Sequence, residues 1–239
     1  MPAPDPVAAA DTLRSAPGAL HARPQPVAHD ARTGLVQLKT FDTRPALLYV
    51  PGSYRADHPA ALAVLFHGSG GEPRHALAPL FPLADAAHLI LLAPAARRFT
   101  WDAVLGDFDE DAQIVDELLA HVFADYAVNP AHVAIGGFSD GASYALSLGL
   151  RNGELFSHVI AFSPGFIAGR VREGAPRIFV SHGRDDTVLP VDRCSRRIVA
   201  SLERAGLPVV YREFTGGHAV PADVARDAVS WFLGAEHAG

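Results

Sequence analysis

The stretch that most constrains this chain runs from His132 to Leu150. At its centre Gly137-Phe138-Ser139-Asp140-Gly141 fits Gly-x-Ser-x-Gly. Ahead of it, His132-Val133-Ala134-Ile135-Gly136 is short, apolar and β-branched, and behind it residues 142–150 have helical composition. A strand, a sharp turn and a helix is the setting in which that pentapeptide lifts a serine hydroxyl to the top of a sheet. The two glycines have a steric task. The serine sits in a strained turn, and strand and helix can pack closely on either side of it only where side chains are missing.

The rest of the chain repeats this alternation. Residues 35–40 alternate in polarity like an edge strand with one wet face, and residues 46–50, after Arg44-Pro45, read as a second strand stopped by Pro51-Gly52. Further strands are predicted at 61–66, 89–93, 133–136, 158–162, 177–181 and 209–214, the continuously apolar ones as strands buried on both faces. Helical patterns lie at 75–87, 109–126, 141–151, 191–205 and 221–233. In 109–126, Ile114, Val115, Leu118, Leu119, Val122 and Phe123 recur at helical spacing, with acids crowded at the N-terminal end where the helix dipole favours them. Two opening strands followed by alternating strand and helix indicate one α/β domain over 35–239, its mostly parallel sheet covered on both faces. Residues 1–34 form an irregular Pro- and Ala-rich arm.

Composition removes several classes of function. The 239 residues are 49% hydrophobic and 19% charged, with a formal net charge of −6, enough for one large core. No Lys/Arg cluster is interleaved with aromatics, so nucleic-acid binding has no electrostatic footprint. Cys194 is the single cysteine, which forbids an internal disulfide and leaves nothing pointing to an oxidising compartment. It reads as a structural thiol at the start of a helix, and no Cys/His spacing resembles a zinc site. No apolar run reaches the ~18 residues that span a membrane. The first residues lack the basic and apolar regions of a secretory signal, so a cytoplasmic location is expected.

A serine hydroxyl needs a base within hydrogen-bond reach, a carboxylate to orient that base, and donors for the oxyanion. On a turn of this kind the order along the chain is serine, acid, histidine. The histidines before Ser139 are excluded by that order. Of those after it, His158 opens a strand, His182 belongs to a loop that must supply the acid, and His237 is three residues from the end. His218, in Thr215-Gly216-Gly217-His218-Ala219-Val220-Pro221, remains as the base. In residues 181–190, Asp185 and Asp186 compete. The pattern His-Gly-x-x-Asp-x-Val-x-Pro puts Asp186 in the acid slot and leaves Asp185 to solvent or to capping the turn. One oxyanion donor is expected from the N–H of Asp140. The other should come from His67-Gly68-Ser69-Gly70-Gly71, with Ser69 first and Gly70 second. Each such donor is worth ~2.7–4 kcal/mol in the transition state. The glycine loop lacks the Gly-Lys-Ser/Thr ending of a phosphate cradle.

Together these four elements resemble the α/β-hydrolase superfamily over roughly residues 35–234. Within it they look like the phospholipase/carboxylesterase branch, close to acyl-protein thioesterases and dienelactone hydrolases. The resemblance implies an eight-stranded sheet with an antiparallel second strand, helices on both faces, and a serine esterase mechanism on a small-molecule ester without metal or organic cofactor. Two features depart from relatives of this kind. Dienelactone hydrolases typically carry cysteine where this chain has Ser139, which argues for ordinary ester hydrolysis. Many lipases insert a long lid after the sixth strand, whereas residues 163–176 are too few for one, so the site is expected to be open with a minimal lid or none. Phe99 and Trp101, after the fourth strand, Phe166 after the sixth, and Val188 and Leu189 beside the acid are candidates for an apolar acyl or aryl wall. Equally, Phe99 and Trp101 could plug their loop into the core. The same site would serve a carboxylesterase, a thioesterase, or an aryl-ester or polyester hydrolase. A binding protein on a hydrolase fold is the non-enzymatic reading.

Overall fold

A computed structural model describes residues 17–29, 31–40, 45–106, 108, 110–169 and 172–234. Eight strands form one sheet: β1 (Gly34–Leu38), β2 (Ala46–Val50), β3 (Ala60–Phe66), β4 (Leu89–Ala93), β5 (Val128–Phe138), β6 (His158–Phe162), β7 (Arg177–Gly183) and β8 (Val209–Phe214). Their order across the sheet is β1-β2-β4-β3-β5-β6-β7-β8. β2 runs antiparallel to β1 and β4, and every other neighbouring pair is parallel. The expected topology, second strand reversed, is therefore present. Among the described residues six helices pack around the sheet: α1 (Pro73–Leu77), α2 (Asp102–Leu105), α3 (Glu110–Asp125), α4 (Asp140–Arg151), α5 (Ser195–Arg204) and α6 (Ala222–Phe232).

The alternation of Cβ atoms along each strand divides the core in two. On one face Leu62, Val64, Ile90, Leu92, Val133 and Ile135 meet α3, α4 and α5; on the other Ala63, Leu65, Leu91 and Ala134 meet α1 and α6. β3 and β4 are buried along their whole length, as their unbroken apolar runs require.

Local departures from the sequence pattern have identifiable causes. A helix expected at 75–87 is the short α1 followed by a 3-10 turn at Phe81–Leu83. Pro82 has no N–H to give and its ring clashes with the carbonyl one turn back. β5 starts earlier than expected. Its pairing with β3 shifts between Ala60/Val128 and Leu62/Val133, and the extra residues bulge where the Asn129 carboxamide accepts the Ala131 N–H at 3.0 Å. The helix α2 was not anticipated. Asp102 Oδ1 accepts the Ala103 N–H at 2.7 Å at its start, and Gly106 closes it at φ 114°.

Residues 17–29 lie on the domain. Leu20 is buried, its N–H donates to Asn152 Oδ1 at 2.8 Å, and Asn152 Nδ2 donates to Gly18 O at 2.9 Å. The N–H groups of His21 and Ala22 converge on Asp116 Oδ1 of α3. Residues 1–16 of the arm, Arg44, Asp109 and His237 lie outside the described residues. No described helix is long and apolar enough to cross a membrane.

Candidate active site

Loops that leave the C-terminal ends of parallel strands gather on one edge of the sheet, beside the strands that carry them. Here the loops after β3, β4, β5, β7 and β8 meet there. Ser139 follows β5 and is the N-cap of α4, with φ 58° and ψ −122°. A non-glycine residue held at positive φ costs ~1–3 kcal/mol and persists only where its surroundings overdetermine it. Ser139 N–H donates to Phe162 O of β6, and Ser139 O accepts from Ser143 N, both at 3.0 Å. Gly137 and Gly141 make the turn possible. A Cβ on Gly141 would lie 2.6 Å from the His67 carbonyl oxygen, and one on Gly137 2.7 Å from that of Phe66.

The hydroxyl of Ser139 lies 2.9 Å from His218 Nε2, and His218 Nδ1 lies 2.6 Å from Asp186 Oδ2. Asp186 can only accept, so Nδ1 carries the proton, Nε2 is bare, and Ser139 donates to it. Asp186 is buried, whereas Asp185 is exposed. Burial alone would raise the Asp186 carboxyl. The Leu189 amide, His218 and the Val188 amide outweigh it and hold the group below its ordinary value, as a carboxylate. Phe138 backs the imidazole of His218 at 4.5 Å between ring centres.

Below the acid loop a carboxylate hub ties three elements together. Glu213 of β8 receives Arg196 of α5 through two nitrogens at 2.7 and 2.8 Å, Arg184 of the acid loop at 3.3 Å and the Tyr211 hydroxyl at 2.9 Å. Arg196 pulls its carboxyl down to about 2.

Around the oxyanion position the structure separates the two candidates in the glycine loop. Gly70, at φ 67°, donates its N–H to Phe99 O at 2.8 Å. That amide is spent on the loop after β4, which removes Gly70 from the donor set. Among the described residues no hydrogen bond engages the N–H of Ser69 or Asp140. The same loop reaches Asp140, whose carboxylate accepts the Thr100 hydroxyl at 2.8 Å. Thr100 thus braces the residue behind the serine, a contact that the local pattern around Thr100 does not announce.

The apolar wall needs one correction. Trp101 is 1% exposed, stacks on Tyr144 at 5.0 Å, and donates its indole N–H to His67 O at 2.8 Å. It plugs the core and offers no face to a ligand. Phe99, two residues earlier, points the other way. It is 73% exposed and its ring lies over Gly70. Val188 is 64% exposed, Phe166 and Leu189 are half-buried, and Leu189 reaches Gly165 after β6. The described residues of 163–176 contain no helix.

Comparison with known proteins agrees with this geometry. Residues 110–168 match the family model described as "Putative esterase". A curated relative, "Probable feruloyl esterase C" of Aspergillus clavatus, is 27% identical over 155 residues, 62% of this chain and 56% of that protein. The match thus spans little more than half the length of that relative. Among solved structures, esterase PE8 superposes with a TM-score of 0.64 at 24% identity, covering 83% of this chain and 98% of that one. A CE1 ferulic acid esterase from the anaerobic fungus Anaeromyces mucronatus does so at 0.63 and 18%, covering 85% and 90%. At these identities the structural likeness is one of fold, and the fold is that of the α/β-hydrolases.

Proposed function

We propose that this chain is a serine carboxylesterase that cleaves small or short-chain carboxylic esters through an acyl-enzyme. The observation that carries the reading is the continuous hydrogen-bonded path from Ser139 through His218 to Asp186, with the serine on a strained strand-to-helix turn. The family match and the curated relative support it. Ser139 Oγ attacks the ester carbonyl as His218 Nε2 takes its proton, while Asp186 stabilises the resulting imidazolium and keeps the ring in its tautomer. The N–H groups of Asp140 and Ser69 receive the oxyanion. His218 returns the proton to the leaving alcohol, and water, activated by the same imidazole, clears the acyl group.

Within this activity the loop motifs favour a phospholipase/carboxylesterase-like enzyme. The exposed Phe99 ring beside Gly70 and the exposed Val188 favour a flat, aromatic acyl group on the same site. The relatives carrying the feruloyl esterase name point the same way.

Ser139→Ala tests the mechanism. Hydrolysis of p-nitrophenyl butyrate should fall by about 10⁴-fold or more with the thermal transition intact. Turnover at the wild-type rate in that variant would overturn it. Comparing kcat/KM for p-nitrophenyl butyrate, a methyl hydroxycinnamate and a butyryl thioester then ranks the acyl and leaving groups.

A further inference from the structure

Asp186 has a second imidazole. His182, the penultimate residue of β7, is fully buried, and its Nε2 lies 3.1 Å from Asp186 Oδ2 and 2.7 Å from Leu189 O. Both neighbours accept, so Nε2 carries the proton; it donates to Leu189 O, and the same N–H edge lies against Asp186 Oδ2. Nδ1 is then bare. Ser195, the first residue of α5 and also fully buried, donates its hydroxyl to Nδ1 at 2.5 Å. Oδ1 of Asp186 thus accepts the Val188 and Leu189 amides and Oδ2 accepts from His218, with His182 Nε2 3.1 Å from the same oxygen. The titratable groups facing this pair come from three elements. They are Asp186 in its own loop, His218 from the loop after β8, and Cys194, which feels the Asp186 charge, from the segment entering α5. Burial pushes the His182 imidazole down, against the Leu189 carbonyl and the Asp186 charge, so it is neutral near pH 7.

We propose that His182, held in its Nε2–H tautomer by the Leu189 carbonyl, is a positioning residue for the acid of the site. It aims Asp186 Oδ2 at His218, and its N–H draws off part of the carboxylate's charge. His218 then holds the serine proton firmly enough to take it and loosely enough to return it. This rests on the serine esterase reading above. His182 stands at the end of β7, where the acid loop begins, and that place suits it to this task.

The full-length chain decides the matter with p-nitrophenyl butyrate as substrate and active sites counted by a fluorophosphonate label. His182→Leu removes the donor. The rate per labelled site should fall about 10- to 100-fold with KM within about twofold, and the acid limb of the kcat/KM profile should move to higher pH. His182→Gln keeps an amide donor and should return the limb toward its wild-type position. A His182→Leu enzyme with wild-type rate per site and an unmoved limb would overturn the proposal. Should that variant not fold, ¹⁵N-histidine NMR of the wild type decides. A non-titrating Nε2–H tautomer at His182 between about pH 5 and 9 supports the proposal, and an Nδ1–H or titrating imidazole overturns it. Wild-type protein that neither hydrolyses the ester nor takes the label would refute the esterase reading by itself, while the tautomer would still report on the His182 arrangement.

Discussion

A single methyl group distinguishes the two kinds of glycine around Ser139. At Gly141 an added Cβ meets backbone, the carbonyls of Phe66 and His67 at the end of β3, which cannot move without unpairing the sheet. Gly141→Ala should therefore cost about 3 kcal/mol or more and yield little folded protein. At Gly70 the obstacle is the Phe99 ring, 2.8 Å from the new Cβ but mostly exposed and free to swing away. The remaining cost is that of placing alanine at φ 67°, ~1–2 kcal/mol. Gly70→Ala should fold, melt a few degrees lower, and raise KM for aryl esters more than for acetate if the ring that leaves is the proposed wall. Thermal melts and a two-ester KM comparison check both variants; equal melting losses would contradict the distinction. At this scale, what could be read from the sequence depended on where a residue's partner lies. Ser139, Asp186 and His218 each sit in a short pattern at a strand end, so the meeting of these three side chains could be expected from chain order alone. Gly70 and Trp101 could not be read that way. The Gly70 amide is claimed by a carbonyl on another loop, and Trp101 and Phe99, two residues apart, face opposite ways for reasons that lie in the packing of Phe66 and Tyr144.

Between residue and domain, the element that governs the site is the loop from Arg97 to Asp102. Asp111, in the first turn of α3, clamps both of its ends: Oδ1 accepts Arg97 N at 3.0 Å and Oδ2 accepts Asp102 N at 2.8 Å. Asp102 Oδ2 answers by accepting Asp111 N at 2.9 Å. The middle of the loop then holds Gly70 through Phe99 O and Asp140 through Thr100. Burial raises the Asp111 carboxyl to about 6, with the two amides opposing it and the Asp102 charge adding to it. The consequence for stability has a definite sign. Between about pH 4 and 6 the folded chain holds a proton at Asp111 that the unfolded chain has lost, so this group's contribution is full below about pH 4 and is lost as pH rises through 6. A shift of this size corresponds to ~3 kcal/mol. Asp111→Asn does not titrate, so the unfolding free energy of wild type minus that of the variant should fall by about that amount from pH 4 to 7, as followed by urea denaturation. A constant difference would mean that the carboxyl titrates as it does in water. The elements themselves were largely legible: β2, β4, β6 and β8 fall where their apolar runs begin and end. The misses were at Pro82, inside a helical pattern that it breaks, at the short α2, and at the start of β5, where the strand begins at Val128 with a bulge ahead of the expected 133–136.

Taken whole, the molecule separates its chemistry from part of its stability along α4. The helix begins at the Ser139 turn and ends twelve residues later, about 18 Å away, at the C-cap Asn152. There Asn152 Oδ1 accepts the Leu20 N–H, and Nδ2 donates to Gly18 O and Leu148 O, so one side chain ties the N-terminal arm to the end of the helix that carries the serine. Asp116 holds the next two amides of the arm on α3, and Leu20 fills the core between. No compositional signal in the Pro- and Ala-rich arm foretold this, because the order comes from polar side chains far along the chain rather than from any period in the arm. Asn152→Ala leaves the buried Leu20 N–H and Gly18 carbonyl without partners, which costs about 2 kcal/mol. For a chain of this length that is a fall of roughly 4–8 °C in melting temperature. The Ser139 turn is held independently, by Phe162, Ser143 and the close backbone of β3. The rate of p-nitrophenyl butyrate hydrolysis per fluorophosphonate-labelled site in Asn152→Ala should therefore match wild type well below the melt. A fall in that rate at 25 °C, with the melt lowered as expected, would show instead that the arm reaches the elbow through α4, and the site would then have to be described as depending on its far end.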